Sequence, residues 1–168
     1  MKDAADYLAF IKALIIANPH VVRWAVIREE AQGDMGLLRY RLALRDGGLL
    51  EMFERFQIVA GRVQGGKYSF HWQDAAGQLL KRWDNVPHHP ELSTYPSHMH
   101  EGAEENVQSH EPINAEEFWL ALLSREKGGK LGSNWNGFKL SSNTLLYQGV
   151  PCHSTRFCEE RAWLGPCV

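Results

Sequence analysis

The fold turns on the run Leu37-Leu-Arg-Tyr-Arg-Leu-Ala-Leu-Arg45, then Asp46-Gly47-Gly48, then Leu49-Leu-Glu-Met-Phe-Glu-Arg-Phe-Gln-Ile-Val59. Apolar and polar residues alternate on both sides of a glycine-rich break, the signature of two strands joined as a hairpin. A two-residue loop would put Arg39, Arg41 and Arg45 on the face that carries Leu50, Met52, Phe56 and Ile58. A three-residue loop with glycine in the left-handed conformation separates them, so the three-residue loop Asp46-Gly47-Gly48 is expected. It gathers Leu38, Tyr40, Leu42 and Leu44 with Leu50, Met52, Phe56 and Ile58 on a buried face. Arg39, Arg41, Arg45, Glu51 and Arg55 fall on the other face, with Arg39 opposite Arg55. That like-charged pair needs a neighbouring acid or an external anion. A solvated face with a local ion pair accounts for it slightly better than an anion site.

Working outward, Lys67–Gln73 and Gln78–Asp84 flank Asp74-Ala-Ala-Gly77 as a second hairpin in which Tyr68, Phe70 and Trp72 alternate inward. A four-residue loop sets His71 opposite Leu80, Ser69 opposite Arg82 and Lys67 opposite Asp84, so that His71, Arg82, Asp84 and Lys67 share one face. An open antiparallel sheet buries one face, which makes the polar faces of the two hairpins continuous. Val21–Ala31, with Val22, Trp24 and Val26 alternating, supplies a further strand. Asp3 caps a helix whose Tyr7, Leu8, Ile11, Leu14 and Ile15 recur at helical spacing until Asn18-Pro19. Asn114 and Glu117 form a capping box before the amphipathic Phe118, Trp119, Leu122 and Leu123. The expected architecture is α+β: an antiparallel sheet of about five strands in consecutive hairpins, one face covered by an N-terminal and a C-terminal helix. Asn85–Pro112, with Pro87, Pro90, Pro96 and Pro112 and no periodicity, reads as a long loop. Residues 1–124 form one domain, and the Gly-, Ser- and Asn-rich residues 125–168 read as a poorly ordered or loosely packed extension.

A formal charge of −2 excludes a uniformly basic surface, so contact with nucleic acid must come from local clustering of Lys and Arg. Acids near the N-terminus and the lack of a long apolar run point to a cytoplasmic protein without membrane contact. Cys152, Cys158 and Cys167 have no Cys-x-x-Cys spacing and indicate neither a disulfide framework nor a zinc knuckle.

Asp46-Gly47-Gly48, Lys67-Tyr-Ser-Phe-His-Trp-Gln-Asp74, Arg82-Trp-Asp-Asn-Val-Pro-His-His-Pro-Glu91 and Thr94-Tyr-Pro-Ser-His-Met-His100 together resemble the TumE family of bacterial toxins. The resemblance covers about residues 7–124. It implies a type II toxin–antitoxin role with a helix-turn-helix antitoxin as partner. The family commonly has Pro-His-His-Lys-His where this chain has Pro96-Ser97-His98-Met99-His100, a loss of one imidazole and one positive charge.

Three readings fit the histidines. In a metal-independent ribonuclease, His71, His88 or His89 takes the ribose 2′-hydroxyl proton, another imidazole acts as acid, Arg82 holds phosphate and Asp84 orients an imidazole or Arg82. An imidazole with an unperturbed pKa of about 6.5 suits both roles. Arg39, Arg41, Arg55, Lys67, His98 and His100 are then the candidates for holding RNA. In a metal site, His98 and His100 combine with His88 or His89 and Asp84. In a binding module, Pro-His-His-Pro is a rigid clip and the protein acts by occupancy. The metal-independent route is favoured, with no cofactor or metal assigned. Tyr68, Phe70, Trp72 and Trp83 are expected in the core rather than as stacking partners for bases.

Overall fold

A computed structural model describes residues 1–124 of the chain. The extension expected over 125–168 and the three cysteines lie outside the described residues. The elements are α1 (Ala4–Ala17), β1 (Val21–Gln32), β2 (Met35–Leu44), β3 (Leu49–Val59), β4 (Arg62–Gln73), β5 (Leu79–Asp84), β6 (His98–Glu101), β7 (Ala103–Ser109) and α2 (Ala115–Ser124). The seven strands form one antiparallel meander in chain order, and the α+β class holds. Among the described residues, no helix is long and apolar enough to cross a membrane.

The first five strands occupy the expected runs, except that β4 begins at Arg62 and runs through Gly65 and Gly66 rather than starting at Lys67. The sixth and seventh lie inside the segment read as a loop. No proline falls between Pro96 and Pro112, and Gly102, with φ +73°, turns the chain between β6 and β7. Apart from the half-buried Val107, β7 is exposed throughout, so it carries no apolar alternation that marks it as a strand. The helix ends follow their caps. Asp3 accepts from the Asp6 N–H at 2.9 Å, and Asn114 and Glu117 bond reciprocally at 2.9 and 3.1 Å.

The β2–β3 loop has three residues, but they are Arg45-Asp46-Gly47. Leu44 N–H donates to Gly48 O, Gly47 N–H donates to Leu44 O, and Gly47 takes the left-handed conformation at φ +85°. Gly48 instead leads directly into β3, where a Cβ would stand 2.8 Å from Gln73 O on β4. The displacement shifts register by two residues, which preserves the faces and changes the partners. Arg41 sits opposite Glu51 and forms an ion pair with it, Arg39 sits opposite Phe53, and Arg55 sits opposite Leu37. The Arg39–Arg55 opposition does not exist, although Arg39 does face Arg28 of β1.

A similar correction applies to β4–β5. The loop takes five residues, closed by Asp74 N–H donating to Gln78 O and by Asp74 Oδ1 accepting from the Ala76 and Gln78 N–H groups. A bulge follows at Leu80, so His71 faces Arg82 and Ser69 faces Asp84. Lys67 has no partner on β5; it is exposed beside the β3–β4 bulge. Asn85 completes this corner by side chain, its Oδ1 accepting from Tyr68 N–H at 3.0 Å and its Nδ2 donating to Gly66 O at 2.7 Å.

The helices cover the apolar face. Tyr7, Ile11, Leu38, Tyr40, Leu42, Leu50, Met52, Phe70, Trp83, Phe118 and Trp119 share one core. Phe118 stacks on Phe70 at 4.9 Å and meets Trp83 edge-on at 5.4 Å, so these β4 and β5 aromatics pack inward as expected. Tyr68 is also buried, whereas Trp72 is partly exposed. One acid interrupts the apolar alternation of β3. Glu54 is fully buried and its Oε2 accepts from Tyr7 OH at 3.1 Å and from Ala115 N–H at 3.2 Å, joining α1, β3 and the start of α2. Burial raises its pKa to about 8, against the opposing effect of those two donors.

A raised carboxyl pKa has a definite sign. The contribution of Glu54 is fully present below the ordinary 4.5 and is lost as pH rises through about 8. Urea titrations between pH 5 and 9 are therefore expected to show a decline in wild-type stability. Its slope from this group is at most about 1.4 kcal/mol per pH unit. Glu54→Gln should flatten that decline, and an equally steep decline in the variant would assign the effect elsewhere.

Candidate functional site

In an antiparallel ladder, directly opposed residues project from the same face. Two adjacent rows therefore cross the face away from the helices. One runs Arg39, Phe53, Ser69, Asp84, His98, Ser109, and the other runs Arg41, Glu51, His71, Arg82, His100, Val107. The expected common face of His71, Arg82 and Asp84 is present. The sixth strand adds His98 and His100 directly opposite Asp84 and Arg82.

Arg82 is the hub of this region. Its Nε donates to Asp84 Oδ2 at 2.8 Å, its NH1 meets Glu104 Oε2 at 2.6 Å, and its NH2 lies 2.9 Å from His100 Nε2. Asp84 is buried and also receives the Val86 N–H on Oδ1 at 3.0 Å. The residue thus serves both as the strand-ending turn and as the ionic partner of Arg82. His98 Nε2 stands 3.2 Å from the same Oδ1, within ionic reach but without hydrogen-bond alignment, which leaves that nitrogen buried and unsatisfied.

The segment between β5 and β6 folds over this face. Turns close at His89–Leu92, Leu92–Tyr95 and Thr94–Ser97, the last containing the cis Tyr95–Pro96 bond. Thr94 ties the segment down by donating to Ser97 O at 2.7 Å and accepting the His110 N–H at 3.0 Å. His88 and His89 are thereby brought against His98 and His100. Ring centroids are 4.2 Å apart for His88–His89, 4.5 Å for His88–His98 and 4.9 Å for both His89–His98 and His98–His100. One ring nitrogen from each of the four lies within 4.8 Å of all the others.

Burial lowers the His100 pKa, with the adjacent Arg82 charge acting in the same direction and the bond to Glu104 O opposing both. His100 is therefore a neutral imidazole near pH 7. Its Nδ1 pairs with Glu104 O at 2.6 Å, the His98 Nδ1 with Pro96 O at 2.9 Å, and the His89 Nδ1 with Glu91 Oε1 at 3.0 Å.

Of the residues singled out from sequence, Arg82, Asp84, His88, His89, His98 and His100 converge, and His71 adjoins them in the Arg82 row. Arg41 and Glu51 lie further along that row, while Arg39, Arg55 and Lys67 are exposed away from the convergence. Glu104 and Glu91 complete the surroundings and were not singled out. The turn glycine Gly102 followed by acids was the available signal for Glu104.

A family model described as Toxin TumE matches residues 11–125 of the chain. No curated protein and no solved structure gives a significant match.

Two carboxylates hold Arg82 in unlike surroundings, since the Asp84 side chain is 4% exposed and that of Glu104 is 52% exposed. Asp84→Ala leaves Arg82 Nε and the Val86 N–H without their acceptor and is expected to cost about 3 kcal/mol in chemical denaturation. Glu104→Ala breaks a solvent-screened pair and should cost less than about 1 kcal/mol. Equal losses would show that the anchoring of Arg82 does not depend on this difference in burial.

Proposed function

Since the chain belongs to the TumE toxin family, we propose that it is the toxin half of a type II toxin–antitoxin pair and arrests growth by cleaving RNA. Its partner is a helix-turn-helix antitoxin. The observation that carries the RNA reading is the alignment of His71, Arg82 and His100 in one row, beside Asp84 and His98 in the next.

Cleavage of RNA without an external nucleophile needs three functions. A base removes the 2′-hydroxyl proton, a cation or hydrogen-bond donor stabilises the phosphorane oxygens, and an acid protonates the departing 5′-oxygen as the P–O5′ bond breaks. The lone pair of neutral His100 is taken up by Arg82 NH2, which leaves His71 on the other side of Arg82, with His88 and His89 on the overlying segment, as the proton-transfer groups. Arg82 supplies the fixed cation, with its fork already oriented by Asp84 and Glu104. The products of this route are a 2′,3′-cyclic phosphate and a 5′-hydroxyl. The convergence of four imidazoles favours a metal-assisted form of the same cleavage over a binder acting by occupancy.

Expression in a recombinant host is expected to arrest growth, with co-expression of the antitoxin restoring it. His71→Ala and Arg82→Ala should each abolish arrest while near-UV circular dichroism remains native. Purified protein should cut total RNA, with EDTA resistance marking imidazole acid–base chemistry and EDTA sensitivity marking metal assistance. Unchanged toxicity in both variants would remove this face from the mechanism. Intact RNA under both conditions would overturn the cleavage reading.

A further inference from the structure

We infer that His88, His89, His98 and His100 form a binding site for one divalent first-row transition metal of the zinc class. Four nitrogens mutually within 4.8 Å are close to the spacing needed. Zn–N bonds of about 2.0–2.1 Å in a tetrahedron place ligand nitrogens about 3.4 Å apart, so each need move inward by less than about 1 Å.

Tautomers supply an independent argument. The Nδ1 atoms of His89, His98 and His100 each meet an oxygen that can only accept: Glu91 Oε1, Pro96 O and Glu104 O. Each Nδ1 therefore carries the hydrogen, and on a neutral ring Nε2 is left as a lone pair. A histidine oriented by a carboxylate or carbonyl on one nitrogen and presenting the other is the usual outer-shell arrangement of a metal ligand. His98 makes the case most sharply. Its buried Nε2 has no hydrogen-bond partner and faces Asp84 Oδ1 at 3.2 Å, an unfavourable opposition of lone pairs that a cation would relieve.

Charge selects a cation over an anion. Asp84, Glu91 and Glu104 surround the cluster against one guanidinium, that of Arg82. The four nitrogen donors select a borderline metal over magnesium or calcium, which take oxygen ligands. His100 Nε2 already faces Arg82 NH2, so metal ligation exchanges that contact while Asp84 and Glu104 retain the guanidinium. A cation held there turns carboxylate-rich surroundings into a place where a phosphate oxygen is welcome. That last extension rests on the RNA-cleavage reading; metal binding does not.

The test uses the full chain with Cys152→Ser, Cys158→Ser and Cys167→Ser, which remove competing thiolates, after stripping with EDTA. Calorimetric titration with Zn2+ should give one ion per chain, and Co2+ should give the visible absorption bands of a tetrahedral nitrogen site. His88→Ala, His89→Ala and His98→Ala should each weaken Zn2+ binding by at least about tenfold, and Glu91→Gln by about tenfold. His20→Ala and His110→Ala should leave it unchanged. If His98→Ala fails to fold, His88→Ala and His89→Ala on the overlying segment decide the matter. Binding well below one ion per chain, or affinity insensitive to His88→Ala and His89→Ala, overturns the site. One bound ion with intact RNA leaves the site standing and removes the nuclease reading, whereas cleavage without stoichiometric metal does the reverse.

Discussion

The candidate site depends on the register that opposes His71 to Arg82 and Ser69 to Asp84. A one-residue slip in β5 would exchange its faces, driving Arg82 and Asp84 into the aromatic core and exposing Trp83. Two features hold the register. Asp74 closes a five-residue turn, and Asn85 bonds the backbone of Gly66 and Tyr68 at the far end of the strand pair. Trp83, packed edge-on against Phe118, locks the same alignment from the apolar side. Once β5 is fixed, β6 can add His98 and His100 only on the face that already carries Asp84 and Arg82.

Each face of this sheet carries an exception to its general character. On the apolar side, Glu54 occupies a core position of β3, where its Oε2 accepts from Tyr7 and from the first free N–H of α2 while its Oε1 has no hydrogen-bond partner. The positive end of the α2 dipole lies at that N–H. The bond therefore fixes where the second helix begins on the sheet. On the polar side, Arg82 and Asp84 are largely withdrawn from water beneath the histidine-bearing segment, with side chains 23% and 4% exposed. On the polar side neighbouring backbone and side chains offset burial with hydrogen bonds, whereas at Glu54 burial is met by a carboxyl pKa raised to about 8, which keeps the group mainly neutral near pH 7.

What was legible from sequence follows from which signals act locally. Period-two alternation gave five strands, the inward faces of β2 and β3, and the shared face of His71, Arg82 and Asp84, but not the burial of β1, where two bulges break the alternation and Val22 and Val26 are exposed. Face assignment tolerates a two-residue error, which is why the displaced Asp46-Gly47 loop and the Leu80 bulge changed cross-strand partners without changing sides. The like-charged opposition at Arg39 was legible only in kind, since its partner is Arg28 of β1 rather than Arg55. Strands β6 and β7 were not legible because one is only four residues long and the other is an almost wholly exposed edge. Without them, neither Glu104 nor the approach of His98 and His100 to Arg82 could be placed.

The meander also sorts the residues around His98 and His100 by face. Ser97 and Met99 alternate with His98 and His100, and Met99 pairs with Trp83 within the apolar core. Ser97 is buried beside Tyr68. An imidazole at 97 and a lysine at 99 would therefore belong to the core side of β6 and its approach, not to the histidine face. Buried there, either group would require its own hydrogen-bond partner. Parity along the strand, rather than the number of histidines in the segment, thus determines which rings meet.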